Sequence, residues 1–104
     1  MIHLVHFWLK EEYQTPEVRE QFEAALTALC ATEHAMQSSW GVPAEVPARP
    51  VLDLSWDYNL VTEFESMAAH DAYQVAPEHV KFLDENKHLW EKALVMDSDI
   101  LFSA

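Results

Sequence analysis

Glycine and cysteine are almost absent from this sequence, which has one of each, Gly41 and Cys30, among 104 residues. A single glycine excludes the glycine-rich phosphate-binding loops of nucleotide-binding proteins, which need several glycines at fixed spacing. A single cysteine excludes an intrachain disulfide, and the place of Cys30 on the apolar face of a predicted helix indicates a buried structural thiol. No HxH, HExxH or cysteine–histidine cluster occurs. We therefore predict no metal site and no cofactor.

Basic residues are also scarce, since six lysines and arginines accompany eighteen acidic residues and give a net charge of −12. Because binding to phosphates needs clustered Lys and Arg, we predict no nucleic-acid partner and no association with an anionic membrane. The N-terminal segment begins without basic residues and lacks a small-residue cleavage site, and no stretch reaches transmembrane length. We therefore expect a cytoplasmic protein.

Apolar residues, by contrast, make up 50% of the chain, and the aromatic ones include four tryptophans. At this length we expect residues 1–104 to form a single domain. One small sheet with its helices cannot easily bury so much aromatic surface, so a homo-oligomer is the better expectation.

Hydrophobic periodicity predicts four strands and three helical segments. Ile2–Leu9 alternates as a strand with two apolar faces, and Thr15 followed by Pro16 marks the start of a helix that reaches residue 32 or 33. The remaining strands are predicted at residues 35–42, 56–65 and 93–102, and the remaining helices at residues 66–73 and 77–92. Gly41 is expected at a β-bulge or in a positive-φ conformation, and the proline-rich residues 42–55 are expected to form a stiff, extended connection.

This order of elements predicts an α+β protein with the ferredoxin-like (βαββαβ) fold, in which the helices cover one face of the sheet. The other face would carry Leu4, His6, Trp8 and Val61, a set too apolar to face water. Two such sheets packed face to face would bury it. We therefore predict a homodimer that forms a dimeric α+β barrel.

The stretch from Tyr73 to Trp90 contains the residues with the clearest chemical potential. From His79, apolar and semi-polar positions recur at helical spacing, at Phe82, Leu83, Asn86, Leu89 and Trp90. His79 is therefore predicted on the core face of a helix that begins at Pro77. At that position the positive end of the helix disfavours imidazolium by about 0.3–1 kcal/mol, and apolar surroundings act in the same direction.

Four segments of the chain are informative together: IHLVHFWLK at the N-terminus, the Trp40-Gly41 pair, YNLVTEF, and YxxxPxHxxF from Tyr73 followed by WEKALVMD. They resemble the stress-responsive A/B-barrel (Dabb) domain family. The resemblance spans nearly the whole chain. It implies a ferredoxin-like protomer and a homodimeric barrel, which agrees with the expectation from periodicity.

One branch of that family, the olivetolic acid cyclase type, carries out cofactor-free aldol cyclisation of a linear polyketide with a Tyr–His pair and a further pocket histidine. By resemblance these positions are Tyr73, His79 and His3. The sequence departs from the branch at Tyr58, which stands in place of a histidine on the third strand. It departs from the family at Ala76, which stands in place of the usual histidine before the proline.

These residues lead to three alternative functions. In the first, His79 is a general base, Tyr73 polarises the substrate and His3 orients it, in cofactor-independent cyclase or lyase chemistry. In the second, the protein is a non-catalytic stress-associated binding or scaffolding dimer, and the pair is structural. The third is a cofactor-free monooxygenase of the antibiotic-biosynthesis type.

A small apolar or aromatic ligand is the expected partner of this site. The predicted ligand-binding wall consists of Val5, Phe7, Phe22, Leu26, Tyr58, Phe82, Trp90 and Val95. His34, His70 and His88 have no partners at a recognisable spacing, and we expect them at the surface or an interface. We do not expect a metal site formed by His3, His79 and a carboxylate, because no metal-binding motif supports it.

Overall fold

The computed structural model describes residues 1–104 as one four-stranded antiparallel sheet with three α-helices. The strands are β1 (Ile2–Leu9), β2 (Gln37–Gly41), β3 (Tyr58–Glu63) and β4 (Trp90–Ser98), in the sheet order β2-β3-β1-β4. The helices are α1 (Pro16–Cys30), α2 (Met67–Gln74) and α3 (Pro77–Asn86), and short 3₁₀ turns occur at Glu11–Tyr13 and Lys87–Leu89. This is the predicted ferredoxin-like α+β fold.

Strand β1 lies in the middle of the sheet, and its residues alternate between a buried and a partly exposed face as predicted. His3, Val5, Phe7 and Leu9 are buried on the helix side. Because side chains alternate with a period of two, this register places all four against the same layer of helices. The inward face of β1 therefore forms the floor of the core.

Aromatic rings fill the space between this floor and the helices. The Phe7 ring meets Phe22 of α1 edge to face at 5.3 Å between centroids and lies 4.9 Å from the Trp90 ring. Phe82 of α3 stacks with Trp90 at 5.9 Å. Such pairs stabilise the fold beyond the area that they bury, by about 0.5–1.5 kcal/mol each.

Two helices begin with the side-chain caps that the sequence indicates. The Thr15 hydroxyl accepts a hydrogen bond from the Val18 amide at 3.2 Å, and the Ser66 hydroxyl accepts one from the Ala69 amide at 3.2 Å. Helix α3 has no side-chain cap and begins with Pro77, whose missing N–H needs no partner at a helix start.

Several boundaries and the role of Gly41 differ from the predictions. Helix α3 ends at Asn86 instead of residue 92, because the chain turns at Lys87–Leu89 and Trp90 then pairs with Leu9 of the sheet. Helix α1 ends at Cys30, and β4 ends at Ser98 instead of residue 102. Strands β2 and β3 are shorter than predicted by a few residues.

Gly41 is neither at a bulge nor in a positive-φ conformation, so that prediction is wrong. It pairs with Asn59 on β3, and a Cβ at this position would lie 3.2 Å from the Asn59 Oδ1 atom. The absent side chain therefore leaves room for the Asn59 side chain beside Gly41. The irregularity in the sheet occurs between Trp8 and Leu9, where β1 changes register against β4.

The outward face of the sheet and strand β4 are poorly covered within one chain. Leu94 and Met96 are 40% and 50% exposed, and Leu101 and Phe102 beyond the strand are almost fully exposed. Residues 42–57 contain no helix or strand. None of the three helices is long and apolar enough to cross a membrane.

Asp57 connects the loop before β3 to both β1 and α1. Its Oδ2 atom accepts hydrogen bonds from the Leu9 amide at 2.8 Å and from Gln14 Nε2 at 3.0 Å, and its Oδ1 atom lies 2.9 Å from the Arg19 guanidinium. The Asp57 side chain is only 15% exposed, so these partners replace most of its water.

We expect Asp57→Ala to lower the free energy of unfolding by about 1.5–3 kcal/mol, because it leaves the Leu9 amide and the guanidinium without this acceptor. Urea denaturation followed by circular dichroism measures the change. Asp84→Ala, at an exposed position of α3, is the control and should change stability by less than about 0.5 kcal/mol. Equal stabilities of the two variants would contradict this role for Asp57.

Candidate functional site

A short break between two helices brings Tyr73 and His79 together. Tyr73 lies in the last turn of α2, Val75 and Ala76 connect the helices, and Pro77 begins α3. Ala76 is extended, as expected for a residue before proline. The tyrosine and histidine rings consequently lie 4.7 Å apart between centroids, inclined by 60°.

The protonation of His79 follows from its surroundings. Its Nδ1 atom lies 3.1 Å from the backbone carbonyl oxygen of Gln74, which can only accept, so Nδ1 carries the proton. In the neutral ring Nε2 then holds the free lone pair. Burial lowers the pKa of His79 below its ordinary value, and the Gln74 hydrogen bond opposes this shift only in part. The result is a neutral imidazole with a defined basic nitrogen.

Tyr73 is 1% exposed, and no side-chain hydrogen bond ties its hydroxyl to another residue of the chain. Burial raises the pKa of the Tyr73 phenol well above its usual value, because the phenolate would lose its hydration. The phenol therefore stays protonated and keeps a hydrogen-bond donor available.

His3 reaches the same region from the sheet. It lies opposite Asp97 in the pairing of β1 with β4, and its Nδ1 atom is 2.5 Å from the Asp97 Oδ1 atom. Its ring packs against Phe64 at 6.1 Å and Tyr73 at 6.4 Å between centroids. The carboxylate and the two aromatic rings hold the His3 imidazole in one orientation.

A cavity of about 200 Å³ lies between the sheet and the α2–α3 pair. His3, Tyr73 and His79 all contribute to its wall, so the structure brings together the three residues predicted as catalytic. The rest of the wall is mostly apolar and consists of Val5, Phe7, Leu29, Leu60, Gln74, Phe82, Leu83, Trp90, Ala93 and Val95. Ala93 and Val95 of β4 are exposed, which makes β4 the accessible side of the cavity.

Five of the eight residues predicted as ligand-binding line this cavity, namely Val5, Phe7, Phe82, Trp90 and Val95. Trp90 reaches it from the start of β4 and not from a helix. Phe22, Leu26 and Tyr58 do not line it. They are fully buried in the core between α1 and the sheet, so their side chains pack against other residues there.

Tyr58, which stands where the resembling branch has a histidine, is bound within the core. Its hydroxyl donates to Glu23 Oε2 at 2.7 Å and lies 3.4 Å from the Arg19 guanidinium. Burial, together with the Glu23 carboxylate, raises the pKa of Tyr58 to about 12. Tyr58 therefore serves the packing of α1 on β3.

His70 and Asp97 are the residues near the cavity that sequence reasoning missed. His70 was predicted at the surface or an interface, yet its side chain is 12% exposed and its ring lies 5.2 Å from the His3 ring. Two signals point to this arrangement, the spacing of three between His70 and Tyr73 on one helix face and the antiparallel pairing that puts Asp97 opposite His3.

A larger groove of about 390 Å³ lies between α1 and α3 on the outer side of the helices. Its wall contains alanines of α1 and charged residues of α3 such as Glu78, Lys81 and Glu85. No histidine or tyrosine lines it. Tyr73 and His79, whose pKa values are both shifted by burial, line the smaller cavity and not the groove, so the smaller cavity is the candidate site.

Residues 1–100 match the family model described as the stress responsive A/B barrel domain, Dabb. Among solved structures, the chain is similar to a Dabb family protein with a ferredoxin-like fold from Mesorhizobium loti, at 24% identity and a TM-score of 0.75 over 97% of this chain and 96% of that one. No curated protein matches the sequence.

Two further structures share the fold. One is a hydroxynitrile lyase from Passiflora edulis, at 20% identity and a TM-score of 0.74 over 91% of this chain and 87% of that one. The other is a dimeric ferredoxin-like protein of unknown function from Thermobifida fusca, at 21% identity and a TM-score of 0.74 over 91% of this chain and 85% of that one.

The lowered pKa of His79 gives the stability of the protein a defined pH dependence. Between the folded pKa and the unfolded value of 6.5, the unfolded chain binds more protons. The contribution of His79 is therefore fully present above pH 6.5 and is lost as the pH falls through the folded pKa. We expect an NMR titration to give His79 a pKa below 6.5.

We also expect the free energy of unfolding to fall less on acidification in His79→Gln than in the wild type. His88→Gln, at an exposed position, is the control and should keep the wild-type slope. A His79 pKa at or above 6.5, with equal slopes in all three proteins, would contradict a desolvated imidazole.

Proposed function

The chain belongs to the stress-responsive A/B-barrel domain family, and on this basis we propose a homodimer that carries out cofactor-independent proton-transfer chemistry on a small apolar or aromatic compound. The reaction is of the lyase or aldol type, at the cavity beside His79. The observation that carries the proposal is the juxtaposition of a neutral imidazole and an unbonded phenol on one cavity wall.

His79 acts as the general base through Nε2. The Gln74 carbonyl occupies the other ring nitrogen, which fixes the tautomer and the ring orientation. A lowered pKa keeps the base unprotonated near neutral pH, where a general base must act. In a lyase step, Nε2 removes the proton of a substrate hydroxyl, and the oxygen electrons form a carbonyl as the adjacent carbon–carbon bond breaks. The electron pair of that bond leaves on the departing carbanion, which takes up the proton from the His79 imidazolium.

Tyr73 stabilises the negative charge that develops on the substrate oxygen. Its phenol stays protonated because burial disfavours the phenolate, and its hydroxyl is not committed to another residue. A donor aimed at a developing oxyanion in an apolar site contributes about 2.7–4 kcal/mol of barrier reduction. His3, oriented by Asp97, positions the polar end of the substrate.

The size of the cavity favours a small substrate. A volume of about 200 Å³ lies below the range of about 300–1,000 Å³ that is usual for drug-sized ligands. It suits a single aromatic ring with a short polar substituent better than an extended polyketide. A protein of the same fold is described as a hydroxynitrile lyase, which supports the choice of lyase chemistry. Oxygenation of an aromatic stays a prediction from the sequence.

The homodimer rests on the uncovered surface of each chain. The outward face of the sheet carries Leu4, His6, Leu94 and Met96, and β4 is an edge strand of nine residues with exposed apolar side chains. A long, apolar edge of this kind is an aggregation hazard unless it is covered. Pairing two sheets face to face would bury the apolar side chains of the outward face, and the Thermobifida fusca relative is described as dimeric.

Turnover of two probes tests the catalytic proposal. Mandelonitrile reports carbon–carbon cleavage through release of benzaldehyde, and phenylacetone reports proton abstraction through deuterium exchange followed by NMR. We expect wild type to accelerate at least one reaction, His79→Gln to lose about 10²–10⁴-fold in kcat/KM, and Tyr73→Phe to lose about 10²–10³-fold. His88→Gln is the matched control and should keep full activity, because it lies outside the cavity.

The same experiment separates catalysis from binding. Benzaldehyde that raises the melting temperature of wild type, without turnover of either probe, would favour the non-catalytic binding dimer. Equal turnover by wild type and the folded His79→Gln variant would contradict the role of His79.

Light scattering tests the dimer. At micromolar concentration we expect a mass of twice the 12.0 kDa of one chain. Leu94→Asp, on the outward face, should shift the equilibrium toward monomers because it buries an unpaired charge in the interface. Val51→Asp, in the proline-rich segment and 88% exposed, is the control. A monomeric wild-type mass would overturn the proposal.

A further inference from the structure

We propose that His3, His70 and Asp97 form a binding site for a divalent transition-metal ion, with Zn²⁺ as the ion that fits their ligand chemistry. The three residues come from three elements, β1, α2 and β4, and each offers one ligand atom. These atoms all lie within 4.8 Å of one another. The site is separate from the proposed base, because His79 is not a member of the cluster.

The chemistry of the ligands favours zinc. Two imidazoles and one carboxylate are a common set for Zn²⁺ with an open fourth position, and they suit hard cations such as Mg²⁺ or Ca²⁺ poorly. In a tetrahedral site with metal–ligand bonds of about 2.0–2.2 Å, ligand atoms are about 3.3–3.6 Å apart. To reach this spacing, the 2.5 Å contact between His3 and Asp97 would lengthen by about 1 Å. Ligand atoms that are up to 4.8 Å apart would approach each other by about 1 Å or a little more. Small side-chain rotations accomplish both changes.

The backbone already holds two of the ligands in register. His3 and Asp97 are directly paired residues of neighbouring strands, so their side chains project from the same face of the sheet. His70 lies in the interior of α2 and packs on the His3 ring at 5.2 Å. Rigid elements hold metal ligands more firmly than loops do, which favours a preformed site.

The partners of His70 leave Nε2 as its ligating atom, and an ion there would displace the Gln74 side-chain amide, whose Nε2 atom lies 3.3 Å from it. The Nδ1 atom of His70 lies 3.1 Å from the Asp71 carboxylate, and carboxylates that accept from a ligating histidine orient the ring and raise its basicity. Phe64 packs against both His3 and His70 and gives the site an apolar side. Asp97 is 39% exposed, so an ion can reach the cluster from solvent. The net charge of −12 attracts cations to the protein in general.

A bound ion would tie three elements together and stand next to the candidate cavity, because His3 belongs to both. Since the unfolded chain does not hold the ligands in place, binding would stabilise the fold by mass action. Neither effect requires the ion to take part in the proposed proton transfer.

Titration of the tag-free, chelator-treated chain with Zn²⁺ by isothermal calorimetry tests the site. We expect saturable binding of one ion per chain and a rise in melting temperature with added Zn²⁺. His70→Gln and Asp97→Asn should each weaken binding by about 100-fold or more, since losing an outer partner alone costs about 10–100-fold. Both residues lie toward the rim of the core, and circular dichroism verifies that the variants fold.

His88→Gln is the matched control, because it removes an exposed histidine far from the cluster, and it should bind Zn²⁺ like wild type. Binding of Co²⁺ in place of Zn²⁺ gives a second readout by NMR. The paramagnetic ion should broaden the ring signals of His3 and His70 and leave the ring signals of His88 sharp. Absence of saturable binding, or binding that His70→Gln and Asp97→Asn leave unchanged, would overturn the site.

The outcome is independent of the proposed function. Zn²⁺ binding in a protein that turns over neither probe supports the metal site and removes only the catalytic proposal. Turnover by chelator-treated protein that binds no Zn²⁺ supports the catalytic proposal and overturns the metal site.

Discussion

The register of strand β1 is the constraint on which the rest of the structure depends. One alternation directs His3, Val5, Phe7 and Leu9 toward the helices, and a slip by one residue would turn all four toward the opposite face. Pairing with β3 and β4 on both sides fixes that register. The same strand therefore provides the floor of the aromatic core, one wall of the cavity and the histidine that faces Asp97.

The candidate site adds a second constraint, the break at Val75 and Ala76. An unbroken helix from Met67 to Asn86 would separate Tyr73 and His79 by six residues, on different faces of the helix. The turn before Pro77 instead folds α3 back so that the two rings meet at 4.7 Å. It also leaves the Gln74 carbonyl free to accept from His79, so one local feature sets both the position and the protonation of the imidazole. Structure and proposed chemistry therefore depend on the same proline.

Much of this arrangement could be predicted from the sequence, because it depends on local rules. Alternation gave the bounds of β1, and Thr15 and Ser66 marked helix starts. Periodicity and Pro77 placed His79 inward. What failed depends on tertiary contacts. Helical periodicity continues through Trp90, but pairing with Leu9 draws that residue into the sheet. Periodicity also shows which residues face inward, but not how far each lies from the surface. It therefore could not distinguish residues that line the cavity from Phe22, Leu26 and Tyr58, which are packed in the core.

Binding of a small carbonyl compound between His79 and Tyr73 can be tested by a crystal structure of the protein soaked with benzaldehyde. We expect the aromatic ring of benzaldehyde to lie against Phe82 and Trp90, with the carbonyl oxygen within about 2.6–3.2 Å of the Tyr73 hydroxyl. His79 Nε2 should face the same group. Benzaldehyde bound in the groove between α1 and α3, or a His79 that presents Nδ1 to the cavity, would contradict the account.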